Sequence, residues 1–232
     1  MDAVNTGQST SRVGTRRLYY TGLTAIMLIL GLIAFFNPAT SNFARPSQSE
    51  PRMIVHGVFA LAWMVLLVIQ ANAVRTGNLT VHRRWGPWVF AVGAGLVITT
   101  AYLFFEGFKG FAAMSPSVLA NRIMLPLFAL AVFFAWRKRT LAAWHKRLIV
   151  LGTLLTLSPI LSRAIGGIFE WLLPERGDSP LEPLFVMSFA GVWTGLLASH
   201  WIYDWRVLGR IHPVTIGATV ALYGVYAFVY LI

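Results

Sequence analysis

A chain of 232 residues would ordinarily form one or two soluble domains. Here 57% of residues are hydrophobic and 12% charged, against about 25% charged in a typical soluble chain, and mean hydropathy is +0.67. Disorder, a fibrous fold and a nucleic-acid module are excluded together, which leaves an all-α, multi-pass integral membrane protein.

Met1–Arg17 is rich in Ser, Thr and Arg and reads as a short disordered cytoplasmic tail. A transmembrane helix needs about 20 apolar residues, and seven segments qualify: Leu18–Phe36, Met53–Val74, Trp85–Phe105, Ser117–Trp136, Leu148–Leu173, Leu184–Tyr203 and Val214–Ile232. The first is too long for a signal-peptide core of about 7–15 residues and reads as a retained helix. Short loops make neighbouring spans antiparallel hairpins. Residues 18–232 therefore read as a single seven-helix bundle with no soluble domain.

Orientation follows from the basic residues. With the N-terminus inside, thirteen fall on the cytoplasmic side: Arg12, Arg16, Arg17, Arg75, Arg83, Arg84, Arg137, Lys138, Arg139, Lys146, Arg147, Arg206 and Arg210. Five fall outside: Arg45, Arg52, Lys109, Arg122 and Arg176. The positive-inside rule then sets the N-terminus inside and the C-terminus outside. The net charge of +11 reads as these loops and not as a nucleic-acid surface. The absence of cysteine excludes disulfides, thiolate metal sites, Fe–S clusters and covalently attached c-type haem.

Ionisable residues inside a membrane are costly and mark functional sites by default. They form two layers. The outer layer holds His56, Arg122 and Arg163. His56, Phe59, Trp63 and Gln70 make one helical stripe on the second span, which should face protein. Pro126 lies four residues after Arg122, and Arg163 four residues after Pro159, so both proline-interrupted spans carry a cation in their outer half. Glu106 and Glu170 are the expected counter-ions. The inner layer holds His82, His145 and His212, each opening a span, with His200 and Asp204 one turn apart on the sixth. That spacing suits paired ligands, or a carboxylate orienting an imidazole. The competing explanation for each of these histidines is an interfacial residue touching lipid phosphates. Tryptophans near the span ends (Trp85, Trp88, Trp136, Trp144, Trp171, Trp201, Trp205) read as an aromatic belt. Gly22, Gly31, Gly93, Gly95, Gly166 and Gly167 read as close-packing positions.

The strings His56-Gly57-x-Phe59-x3-Trp63-x2-Leu66-x3-Gln70, His82-Arg83-Arg84-x-Gly86, His145-Lys146-Arg147-Leu148, Asp204 and His212-Pro213 resemble a family of uncharacterised bacterial inner-membrane proteins with six or seven spans. The resemblance runs from about Pro51 to Pro213 and implies a bacterial inner (plasma) membrane location, but no settled activity. More loosely, the HRRxG and HKRL strings are similar to histidine motifs of membrane proteins linked to haem and terminal-oxidase maturation, and of b-type cytochromes.

Three functional readings follow. In the first, His82, His145, His200 and His212, with Asp204 in support, bind haem b or a divalent metal in a redox or maturation protein. In the second, the chain is a non-enzymatic scaffold, lipid binder or small transporter. Its basic face then meets anionic lipid, and within the outer polar layer of His56, Trp63, Gln70, Arg122 and Arg163 the arginines and the histidine hold an anion. In the third, three histidines hold zinc in a membrane hydrolase, although no HExxH string is present. The expected partners are membrane lipids and other membrane proteins.

Overall fold

The computed structural model describes residues 6–36, 50–172 and 182–231. The regular elements of these residues are all helical: α1 (Thr6–Phe36), α2 (Pro51–Arg75), α3 (Leu79–Glu106), a 3-10 turn (Phe111–Ala113), α4 (Pro116–Arg137), α5 (Ala142–Leu155), α6 (Ser158–Leu172), α7 (Glu182–Leu208) and α8 (Pro213–Leu231). Large apolar side chains such as Ile98, Phe105 and Val220 cover the outside of the bundle, as a hydrocarbon solvent permits. Six helices are long and apolar enough to cross a membrane, or seven if the bent pair α5 and α6 counts as one span.

The first hairpin shows how sequence sets these elements. Pro51 opens α2 at a position where its missing N–H costs nothing. The Thr76 N–H returns to the Asn72 carbonyl, and Gly77 reverses the chain at φ 80°, a conformation glycine adopts without Cβ strain. Asn78 then caps α3 by accepting from the Val81 N–H. The two helices pack closely because two glycines of α3 admit rings from α2. A Cβ on Gly93 would lie 2.7 Å from the Trp63 ring, and one on Gly95 only 2.2 Å from Phe59. Gly22 and Gly31 have nothing within 4 Å, so they are not the close-packing positions expected of them.

Two expected boundaries change. α1 begins at Thr6, so Thr6–Arg17, read from composition as a disordered tail, is helical backbone. Extending an existing helix avoids the cost of nucleating one. The fifth span is not one helix. α5 and α6 meet at a 55° bend. Pro159 in the first turn of α6 cannot donate to the carbonyl four residues back, and Thr156 turns its hydroxyl onto the Thr153 carbonyl. By contrast Pro87 and Pro126 lie within unbroken helices.

α1 packs against α2 and α6, α4 against α5 and α8, α3 against α2 and α4, α5 against α8, and α6 against α7. The two halves of the bent span therefore have different neighbours. Trp63, fully buried, donates from Nε1 to Thr153 of α5 at 3.1 Å, joining α2 to the centre of the bundle.

Candidate functional site

The inner layer divides into two groups. In the first, His82 of α3 and His145 of α5 stand with ring centroids 6.1 Å apart and planes nearly perpendicular. His145 Nδ1 donates to the Ala135 carbonyl of α4 at 3.0 Å. The Nδ1 of His82 is buried without a hydrogen-bond partner, as are both side-chain amide atoms of Gln70.

The second group is built around Asp204, fully buried near the end of α7. Arg147 of α5 donates to its Oδ1 from Nε at 2.8 Å and from Nη2. The His212 N–H and the Thr215 hydroxyl donate to Oδ2 at 3.0 and 2.6 Å. One carboxylate thus joins α5, α7 and the start of α8. The expected role of Asp204 in orienting His200 is not realised, because a full cation outcompetes a neutral imidazole for a buried carboxylate. His200 instead meets the Tyr19 hydroxyl at Nδ1, at 2.8 Å, and its Nε2 is buried without a partner. His212 packs its ring on Trp144 and accepts from the Val214 N–H at 3.2 Å. Burial, and then the charge of Arg147, hold its imidazole below the usual histidine range.

Four histidines therefore do not converge on one ligand. Among the described residues no three His, Asp or Glu side chains gather as a metal-binding group. In the sequence Arg147 and Lys146 read only as cytoplasmic cations of the HKRL string, and nothing there singles out Tyr19, Tyr20 and Tyr203 as site residues. Lys146 lies over the rings of Tyr20 and Tyr203, and Tyr19 stacks on Tyr203 at 4.2 Å. The available signal was Asp204 itself, a solitary intramembrane acid that required a cation.

The outer layer also divides. Arg122 donates from Nη2 to the Phe104 carbonyl at 2.5 Å and lies over the rings of Phe104 and Phe108, which holds it against the end of α3, while its Nε is buried without a partner. Glu106 pairs with Arg52 at 2.9 Å, not with either expected cation. Glu170 is exposed and has no ion pair among the described residues. Arg45 and Arg176, counted as outer cations, lie outside the described residues.

His56 and Arg163 come together. Both line a cavity of about 240 Å³ between α1, α2 and α6, whose other walls include Ala34, Phe35, Phe36, Met53, Ile54, Val58 and Leu61. His56 Nδ1 meets the hydroxyls of Thr99 and Thr100 at 3.4 Å each. Arg163 is half-buried and has no hydrogen-bond acceptor or carboxylate partner among the described residues; the nearest titratable group is His56. The structure thus contains an apolar cleft with one unneutralised guanidinium and one imidazole in its wall. Trp63 and Gln70, expected on the same stripe as His56, lie deeper in the bundle and do not line it.

No protein family model, curated protein or solved structure matches this chain.

Proposed function

We propose that this protein is a binder of an anionic amphiphile in the bacterial inner membrane, crossing seven times with the N-terminus inside and the C-terminus outside. The lipid-binder and transporter reading of the sequence is thereby preferred to the redox and hydrolase readings. The observation that carries it is Arg163. A cation inside a membrane helix is costly to insert, up to about 2.5–3.5 kcal/mol at the helix centre, and an acid or carbonyl usually compensates it. Here no ion pair of the described residues includes Arg163, and the guanidinium borders an apolar cavity. The chemistry complementary to that pairing is a carboxylate or phosphate on an apolar chain. Guanidinium matches such oxygens in a bidentate fork. Phe36, Ile54 and Val58, which line the cavity, are exposed on the outside of the bundle, so such a ligand would enter sideways from the lipid.

Calorimetry on the protein in a neutral maltoside detergent tests this with dodecanoate as probe and dodecanol as its uncharged counterpart. Dodecanoate is expected to bind and dodecanol to bind more weakly. Arg163→Gln should weaken dodecanoate by about tenfold or more, since hydrogen bonds to charged groups contribute about 1.5–3 kcal/mol. Equal binding of both probes by both proteins would defeat the proposal.

A second reading keeps haem or a metal ion on the cytoplasmic side, favoured by the adjacency of His82 and His145. A visible absorption spectrum with metal analysis on the same sample tests it. Loss of a bound species in His145→Ala would support it.

A further inference from the structure

We infer that the amphiphile held in the outer cleft is a weak acid, a single-chain carboxylate, and that each one bound brings one proton, held between His56 Nε2 and a carboxylate oxygen. This rests on the anionic-amphiphile reading above and gives its ligand class.

The argument begins with the two threonines. A hydroxyl carries one hydrogen. That of Thr99 is directed to the Gly95 and Leu96 carbonyls at 2.8 and 3.1 Å, and that of Thr100 to the Leu96 carbonyl at 2.6 Å. Both oxygens can therefore only accept from His56 Nδ1, which must carry the hydrogen. The neutral ring then has its lone pair on Nε2. No residue of α3 lines the cavity, so Nε2 is the nitrogen left for the cavity side. A lone pair beside a bare carboxylate is repulsive, and only a proton between them converts the contact into a hydrogen bond. A carboxylate and an imidazole can share that proton because their reference pKa values, about 4.3 and about 6.5, are close. A phosphodiester headgroup or an alcohol lacks this match.

The charges around His56 leave it this role. On its own helix, Arg52 is occupied by Glu50 and Glu106 at the outer end. The α3 groups that face it are the two threonines, with Glu106 already committed. From α6 the facing charge is Arg163, and the described outer half of α1 carries no titratable side chain. Without an anion beside it, a charged His56 would stand next to Arg163, two cations in an apolar wall. The ligand's negative charge removes that repulsion, so anion and proton favour one another's binding, and by reciprocity each raises the other's affinity equally. The volume agrees with one chain: about 240 Å³ falls below the range of about 300–1,000 Å³ typical of drug-sized sites.

Calorimetric titration of dodecanoate at pH 7, repeated in buffers of different ionisation enthalpy, counts the protons taken up. About one proton per ligand is expected for the native protein, and its affinity should fall by about tenfold for each pH unit as the medium becomes alkaline. His56→Gln, whose amide can donate without titrating, should bind with no net uptake and a flat pH profile. Phosphatidylglycerol added to the detergent should compete poorly. Native binding without proton uptake, or uptake that persists in His56→Gln, would overturn the coupling while leaving an anion-binding cleft in place. Displacement of dodecanoate by an equal concentration of phosphatidylglycerol would overturn the carboxylate assignment. Should His56→Gln fail to fold, the pH profile and proton count of the native protein still decide. A native protein that binds no dodecanoate at any pH defeats the underlying reading and the inference with it.

Discussion

A carboxylate without exposed surface needs every lone pair engaged, and Asp204 meets that need with Arg147 on one oxygen and the start of α8 on the other. Removing one partner of such a pair strands a charge and costs about 3–5 kcal/mol, while replacing both by apolar residues of similar volume is often neutral. Asp204→Asn and Arg147→Met should therefore each lower the unfolding temperature in detergent markedly. The double variant Arg147→Met with Asp204→Leu should recover most of the loss, with a strongly non-additive double-mutant cycle. Additive losses would show that the two residues act separately. This pairing was only half legible in the sequence. The position of Asp204 at the inner face was readable from the spans, and its solitude there asked for a cation. Arg147 was hidden because it stands among Lys146, Arg137 and Arg139, and composition cannot tell a buried guanidinium from a solvated one. The same blindness affected Thr99 and Thr100, whose role depends on which carbonyls their hydrogens take.

Proline marked the right places for helix interruption and misjudged the outcome. Pro126 leaves α4 continuous, whereas the fifth span bends by 55°. The difference lies in the neighbours: α4 and α8 hold α5, while α1 and α7 hold α6, so the halves are drawn apart once a backbone hydrogen bond is missing. Pro159→Ala restores that donor. It should lengthen the distance between spin labels at Ala143 and Trp171, both exposed, and weaken dodecanoate binding by carrying Arg163 away from His56. The chain has no native cysteine, so two engineered ones suffice. An unchanged distance would mean that packing alone sets the bend. Close packing makes a separate demand between α2 and α3. Gly95→Ala should destabilise by about 1–3 kcal/mol, the usual cost of overpacking, because its Cβ would meet the Phe59 ring at 2.2 Å. Gly22→Ala, with nothing within 4 Å, should be near neutral in the same thermal assay.

For the whole molecule, the count of crossings turns on whether the bent pair passes through the membrane or returns to the face it entered. α7 has 27 residues, which at 1.5 Å per residue spans about 40 Å, more than the hydrocarbon core of about 30 Å. On the proposed topology its two ends lie on opposite faces. Asp204 near its last turn touches Arg147 in the first turns of α5, so the pair enters on the face where α7 ends. In the seven-crossing topology it leaves toward the face where α7 begins, and the packing of α6 against α7 supports that. One bent crossing satisfies both conditions. A re-entrant loop would place Arg147 and Asp204 at opposite ends of a full span. Seven crossings also keep Arg206 and Arg210 on the same side as the basic residues around α2–α3 and α4–α5, as the charge bias requires. Alkaline phosphatase fused after Ile232 should therefore be active, and green fluorescent protein fused there dark, in a bacterial host with the N-terminus inside. The opposite pattern would mean six crossings, with the inner basic clusters of α7 turned outward against the rule.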